Sequence, residues 1–143
     1  MAHSKGTGLR WIPQTSFALI PRYLIEQVGT IDPEKLYSFG PRIGGSPLTI
    51  LGVFVPMDEK AEDFGQAKGF LWASINPLVD KIEAHMLSVD EEYRGRGIIK
   101  EAKNILEKIK AQQNLTGILF KTTTPEVFEK AGFAKSRQTI MEG

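Results

Sequence analysis

The sequence contains no cysteine and only two histidines, His3 and His85. Without cysteine there can be no disulfide, no thiolate metal ligand and no cysteine nucleophile. Two histidines are too few for a typical histidine zinc site, so we expect no metal. No apolar run has the length of a signal-peptide core or of a membrane span. These absences favour a soluble cytoplasmic protein that does not associate with membranes.

Neither sign of charge is in clear excess, because the sequence has 18 basic and 17 acidic residues. No block of Lys or Arg forms a stripe, so we expect no nucleic-acid partner. Hydrophobic residues make up 41% of the chain and charged residues 24%, which is ordinary for a globular protein. A chain of 143 residues is most simply one domain, residues 1–143, with a proper hydrophobic core.

Local patterns predict an α/β fold with a mixed sheet and the element order β-α-α-β-β-β-α-β-α-β. The predicted strands are 9–12, 48–55, 69–75, 82–89, 118–122 and 133–141. The predicted helices are 15–28, a short one that begins after Asp32, 98–112 and 125–131. Residues 40–47 and 57–68 are predicted as loops. The strand-helix-strand unit 82–122 should be a right-handed parallel crossover, and the strands before it should pair antiparallel.

The joint between strand 82–89 and helix 98–112 is the most informative segment. It interleaves two glycines with two arginines, Arg94-Gly95-Arg96-Gly97. Glycine allows backbone conformations closed to other residues, and the free N–H groups of a helix start attract anions. Guanidinium groups beside that array bind phosphate well. The segment therefore indicates a phosphate site, and the alternative is a tight turn with solvated arginines.

Two common phosphate motifs do not fit this segment. A nucleotide P-loop requires Gly, four residues and then Gly-Lys-Ser/Thr, which is not found in the sequence. A dinucleotide fingerprint requires a third glycine after Gly95 and Gly97, at the position that Lys100 occupies.

The spacing of Arg94, Gly95, Arg96 and Gly97 instead resembles the signature of GNAT-type N-acetyltransferases, Arg/Gln-x-x-Gly-x-Gly/Ala. In that family the signature lies between the fourth strand and the third helix and binds the pyrophosphate of acetyl-CoA. Residues 127–133, Val-Phe-Glu-Lys-Ala-Gly-Phe, resemble the family's second motif. The resemblance is strongest over residues 82–133 and extends to most of the predicted element order.

The resemblance implies a GNAT-like acyl-CoA N-acyltransferase fold and an acetyl-CoA-dependent N-acetyltransferase. Such an enzyme moves an acetyl group to a primary amine, on a small molecule or a protein, by direct attack. It also implies a set of residues that bind the acetyl-CoA co-substrate: Leu87, Ser88, Val89, Arg94, Gly95, Arg96, Gly97, Ile98, Ile99 and Phe128.

For the catalytic base the resemblance implies Glu83, since some members carry a glutamate eleven residues before the loop's first polar residue, here Arg94. In a regular strand Glu83 would share a face with His85 and Leu87. Glu83 and His85 are therefore the predicted catalytic residues, and the alternative is that both are polar residues on a solvent-facing surface.

The sequence departs from the family pattern at two positions. Ile99 replaces the final Gly/Ala of the loop motif, and Phe128 replaces a tyrosine that often protonates the departing thiolate. The chain after Gly132 is also short, and an incomplete sheet edge favours a homo-oligomer or a larger assembly. These departures support a second hypothesis, a catalytically silent GNAT-like domain that serves as an interaction or structural component of a larger assembly.

Overall fold

The computed structural model describes residues 7–43, 46–120, 122 and 125–134, which form one mixed sheet with flanking helices. The strands are β1 (Leu9–Pro13), β2 (Thr49–Pro56), β3 (Gly69–Asn76), β4 (Lys81–Val89) and β5 (Gly117–Phe120). The α-helices are α1 (Arg22–Val28), α2 (Pro33–Ile43), α3 (Ile98–Gln113) and α4 (Pro125–Lys130). Short 3-10 helices occur at Phe17–Leu19 and Glu91–Tyr93.

The five strands lie in sequence order, β1-β2-β3-β4-β5. The first four pair antiparallel, and β4 pairs parallel with β5 through the α3 crossover. This arrangement confirms the predicted mixed sheet and the predicted parallel crossover unit.

Apolar side chains cover both faces of the sheet, so helices can pack on each side. On one face the buried core includes Phe54 and Leu71, which cluster with Ala102 and Leu106 of α3. On the other face the core includes Phe17, Leu24 and Leu36 from the 3-10 helix, α1 and α2, packed with sheet residues such as Phe70 and Met86. The sheet is therefore the middle layer, and each face of β4 meets a different set of helices.

Two predicted boundaries near the N-terminus are wrong, and proline is involved in both. The single helix predicted over 15–28 is two elements, because Pro21 takes an extended conformation (φ −60°, ψ 136°) as the N-cap of α1. The second helix is longer than predicted: α2 continues through Gly40 and Pro41 to Ile43, where a loop was predicted. Of the predicted last strand, Phe133 and Ala134 are not in a strand, and 135–141 lie outside the described residues.

Two irregularities of β4 shape the region after it. Trp72 pairs with Met86 and the next residue, Ala73, pairs with Ala84, so His85 is an extra residue in a β-bulge. On its other side β4 pairs with β5 only from Lys81 to Ala84. The second half of β4 therefore has no described strand neighbour on the β5 side, and a cleft opens there.

Candidate active site at the end of the fourth strand

The cleft beside the second half of β4 holds a cavity of about 360 Å³. Four elements converge on it: the end of α1, the end of β4, the start of α3 and one face of α4. Its walls are mostly apolar, with a guanidinium and an amide side chain at one end. The residues that line it are Gln27, Val28, Leu87, Ser88, Val89, Arg94, Gly95, Ile98, Ile99, Val127 and Phe128.

The glycine loop, Arg94-Gly95-Arg96-Gly97, adopts left-handed backbone conformations at both of its glycines. Gly95 has φ 77°, and Gly97, the N-cap of α3, has φ 84° and ψ 26°. A Cβ atom at either position would meet nothing within 4 Å, so the backbone conformation, and not space, requires glycine here. The main-chain N–H groups of residues 95–100 donate to no acceptor in the described part of the chain. The loop thus offers unbonded N–H groups at the positive end of the α3 dipole.

Arg94 is held at the edge of this cavity by two hydrogen bonds. Its Nε donates to the carbonyl oxygen of Val89 (3.3 Å), and its Nη2 donates to Oε1 of Gln27 (3.0 Å). Gln27 lies on α1, and its Nε2 donates in turn to Ser88 Oγ (2.9 Å) and to the Val89 carbonyl (3.2 Å). A side chain of α1, 67 residues earlier in the sequence, thus fixes Arg94.

Arg96 lies outside the cavity. Its guanidinium carbon is 4.8 Å from the centre of the Tyr93 ring, a cation–π contact. Gly97 also does not line the cavity, but it supplies the N-cap geometry of α3. Arg94 and Arg96 therefore point to different surroundings, although they are only two residues apart in the sequence.

The two positions that depart from the family pattern both reach the cavity wall. Ile99 is half-buried, packs against the core on the α3 face and also lines the cavity. Phe128 packs in an aromatic cluster with Phe120 and Phe133, with ring centres 4.9 and 5.8 Å away. Both side chains add apolar surface to the cavity wall, and neither offers a proton donor.

The two predicted catalytic residues, Glu83 and His85, lie on the α1/α2 face of β4 and not in the cavity. Glu83 is half-buried and pairs across the strands with Ser74, whose Oγ is 2.7 Å from His85 Nε2. The His85 ring also lies 4.6 Å, centre to centre, from that of Trp72. The structure therefore brings both residues together around Ser74.

The expectation that Leu87 shares this face is wrong. The bulge at His85 shifts the alternation of β4, so that Leu87 packs against the core on the α3 face. Ser88 is buried (6% exposed) on the other face, where Gln27 bonds it.

A polar cluster whose residues do not line the cavity fixes the segment just before the glycine loop. Tyr23 donates to Asp90 (2.7 Å) and Tyr93 donates to Asp63 (2.8 Å), while Lys68 Nζ lies 3.9 and 4.0 Å from these two carboxylates. Residues 57–68, predicted as an exposed loop, are thereby tied to the loop that follows β4.

The hydroxyls and carboxylate of this cluster have shifted pKa values. Burial and the hydrogen bond to Asp63 raise the pKa of Tyr93 to about 12. Burial, together with the bond to Asp90, likewise raises the pKa of Tyr23. The Glu92 main-chain N–H, then the Tyr23 hydroxyl, lower the pKa of Asp90. At neutral pH these shifts favour neutral tyrosines and a charged Asp90, the forms that the hydrogen bonds require.

Three residues that line the cavity were not predicted from the sequence: Gln27, Val28 and Val127. Val127 lies beside Phe128 in the second motif, so the motif could have indicated it. Gln27 and Val28 come from α1, and no local pattern connects that helix with the end of β4.

The fold and the loop agree with what comparison with known proteins shows. The Acetyltransferase (GNAT) family model matches residues 34–133, more than half of the chain. The chain therefore belongs to the GNAT family of acetyltransferases. A search of the curated proteins gives no match.

Solved structures of acetyltransferases share this fold at low sequence identity. AAC(6')-Iy, in complex with the bisubstrate analogue CoA-S-monomethyl-acetylneamine, is 17% identical with a TM-score of 0.74, over 94% of this chain and 97% of that one. The aminoglycoside 6'-N-acetyltransferase AAC(6')-Ih from Acinetobacter baumannii is 13% identical with a TM-score of 0.73, over 94% and 97%. Glucosamine-6-phosphate N-acetyltransferase from Arabidopsis thaliana is 13% identical with a TM-score of 0.66, over the same shares.

The described residues contain no group of three or more His, Cys, Asp or Glu side chains that could hold a metal ion. In the same part of the chain, no helix is both long and apolar enough to cross a bilayer.

Proposed function

We propose that this protein is an acetyl-CoA-dependent N-acetyltransferase that moves an acetyl group to a primary amine by direct attack. The observation that carries the proposal is the glycine loop at the mouth of the cleft. Its N–H groups at residues 95–100 bond to no described acceptor, and the guanidinium of Arg94 lies beside them. Such an array is suited to a diphosphate.

The cleft suits the rest of a CoA molecule as well. From Met86 to Ser88, β4 has no described strand partner on its β5 side, so main-chain groups along that edge are available to the amides of a pantetheine arm. The apolar walls formed by Leu87, Ile98 and Phe128 exclude water from the same space. Ile99 fits this arrangement because its side chain packs partly against the core.

Acetyl-CoA would supply a thioester, whose carbonyl carbon is open to attack by a neutral amine. The protein must therefore remove a proton from the ammonium group of the acceptor. Glu83 and His85 lie on one face of β4 around Ser74, and a carboxylate or imidazole there accepts that proton through water. Phe128 offers no proton to the departing thiolate, so most of the rate must come from positioning, which can be large by itself.

Calorimetric titration with CoA tests this proposal. We expect the wild-type protein to bind CoA, and we expect Arg94→Ala to weaken binding about tenfold or more, because a charge-assisted contact is lost. Arg10→Ala is the matched control, since Arg10 is an exposed arginine on β1. Equal loss in both variants, or no effect in either, would contradict a diphosphate site at Arg94.

A second candidate function is favoured by Phe128, which lacks the hydroxyl that many relatives use. On this account the domain binds a partner and does not catalyse transfer. Light scattering would then show a stable oligomer, and acetyl-CoA would not be consumed with any of a panel of primary amines. A monomer that consumes acetyl-CoA would eliminate this candidate.

A further inference from the structure

Gln27 uses every hydrogen-bonding group of its carboxamide on the end of β4 and the loop beyond. Nε2 donates to Ser88 Oγ and the Val89 carbonyl at 2.9 and 3.2 Å, and Oε1 accepts from Arg94 at 3.0 Å. The reverse orientation of the amide would place Oε1 against the Val89 carbonyl and Nε2 against the guanidinium. Both contacts would be repulsive, so these neighbours determine the orientation.

α1 is well placed to carry such a residue. Tyr23 and Gln27 are four residues apart and lie on one face of the helix, and both reach the segment after β4. Tyr23 bonds Asp90, while Gln27 bonds the arginine that follows four residues later. The helix therefore contacts the loop at two points.

The chemistry of the amide is suited to a phosphate-binding arginine. A guanidinium has five N–H donors, of which Arg94 uses one on Val89 and one on Gln27. The remaining donors are available to an anion. A free arginine loses much rotamer freedom on binding, and these two bonds restrict Arg94 beforehand. Because an amide is neutral, it orients the guanidinium and leaves its full positive charge for the ligand.

We propose that Gln27 is a positioning residue for the diphosphate of CoA: it holds Arg94 toward the cleft without neutralising it. This inference rests on the proposed function, because it requires that CoA binds at the loop. It assigns no contact between Gln27 and the reacting atoms.

The test compares Gln27→Ala and Gln27→Glu by calorimetry with CoA, inorganic pyrophosphate and pantetheine. Alanine removes the bonds, whereas glutamate keeps a partner for Arg94 but adds a negative charge. We expect about tenfold weaker binding of CoA and pyrophosphate for Gln27→Ala, and at least as large a loss for Gln27→Glu. Pantetheine, which has no diphosphate, should bind both variants as it binds the wild type.

Gln112→Ala, on the exposed end of α3, is the matched control and should bind CoA as the wild type does. Thermal unfolding of each variant shows whether it is folded. If folded Gln27 variants bind CoA as tightly as the wild type, or lose pantetheine as strongly as CoA, the inference is overturned while the proposed function stands. If the wild type binds neither CoA nor pyrophosphate, the proposed function fails, and with it any role of Gln27 in it.

Discussion

His85 Nε2 lies 2.7 Å from Ser74 Oγ. His85 is the extra residue that the β-bulge adds to β4 between Ala84 and Met86. The His85 ring lies beside that of Trp72 on the same face as Glu83, whereas the bulge moves Leu87 to the other face. β-Bulges commonly re-aim a side chain next to an active site. Glu83 and His85 therefore keep the common face that a regular strand predicts, whereas Leu87 does not.

Replacement of Glu83 tests the role of the base. We expect Glu83→Gln to lower the rate of acetyl transfer about a hundredfold, because an amide cannot accept the proton, and to leave CoA affinity unchanged. The measurement is consumption of acetyl-CoA with a panel of primary amines, across a range of pH. Glu59→Gln, at an exposed glutamate of the 57–68 loop, is the control. A Glu83→Gln enzyme with full activity would leave His85 as the remaining candidate.

Phe128→Tyr should restore a proton donor near the departing thiolate. If that step limits turnover, kcat should rise by up to about a hundredfold, which is within the range of general acid catalysis. Phe133→Tyr is a matched control, since Phe133 belongs to the same aromatic cluster but does not line the cavity. Equal activity in the wild type and both variants would show that protonation of the thiolate is not limiting.

The Tyr93–Asp63 hydrogen bond should give the protein a pH-dependent stability in the alkaline range. The folded state raises the pKa of Tyr93 from 10.0 to about 12, because burial and Asp63 favour the neutral phenol. A raised pKa contributes stability that is fully present below pH 10 and is lost as the pH rises toward 12. Urea unfolding across this range should therefore show a steeper loss of stability for the wild type than for Tyr93→Phe. If the free energy of unfolding fell equally with pH in the two proteins, the raised pKa of Tyr93 would be contradicted.

Much of the fold could be predicted because its signals are local. The apolar stripe of α3 and the left-handed stop at Asn114 (φ 56°) follow directly from the residues there. The glycine loop was also predictable, since a left-handed backbone and a helix start have clear sequence signatures. These features need no knowledge of distant neighbours.

The parts that could not be predicted depend on contacts between distant segments. The bulge at His85 depends on how β3 pairs with β4, and the alternation of apolar and polar residues along β4 does not indicate it. Gln27 reaches Arg94 across 67 residues of sequence, so no local pattern connects them. The continuation of α2 through Gly40 and Pro41 runs against the local preference of Gly and Pro for turns.

Titration of CoA into Gly97→Asp tests the central claim, that the loop before α3 binds the diphosphate of CoA. Gly65→Asp is a close control, because Gly65 has φ 85° against 84° for Gly97 and both have open space around the Cβ position. Each substitution should cost about 1–2 kcal/mol of stability from the left-handed backbone. Only Gly97→Asp adds a carboxylate at the anion site. We predict that the wild type and Gly65→Asp bind CoA and that Gly97→Asp does not; binding by all three, or by none, would contradict the claim.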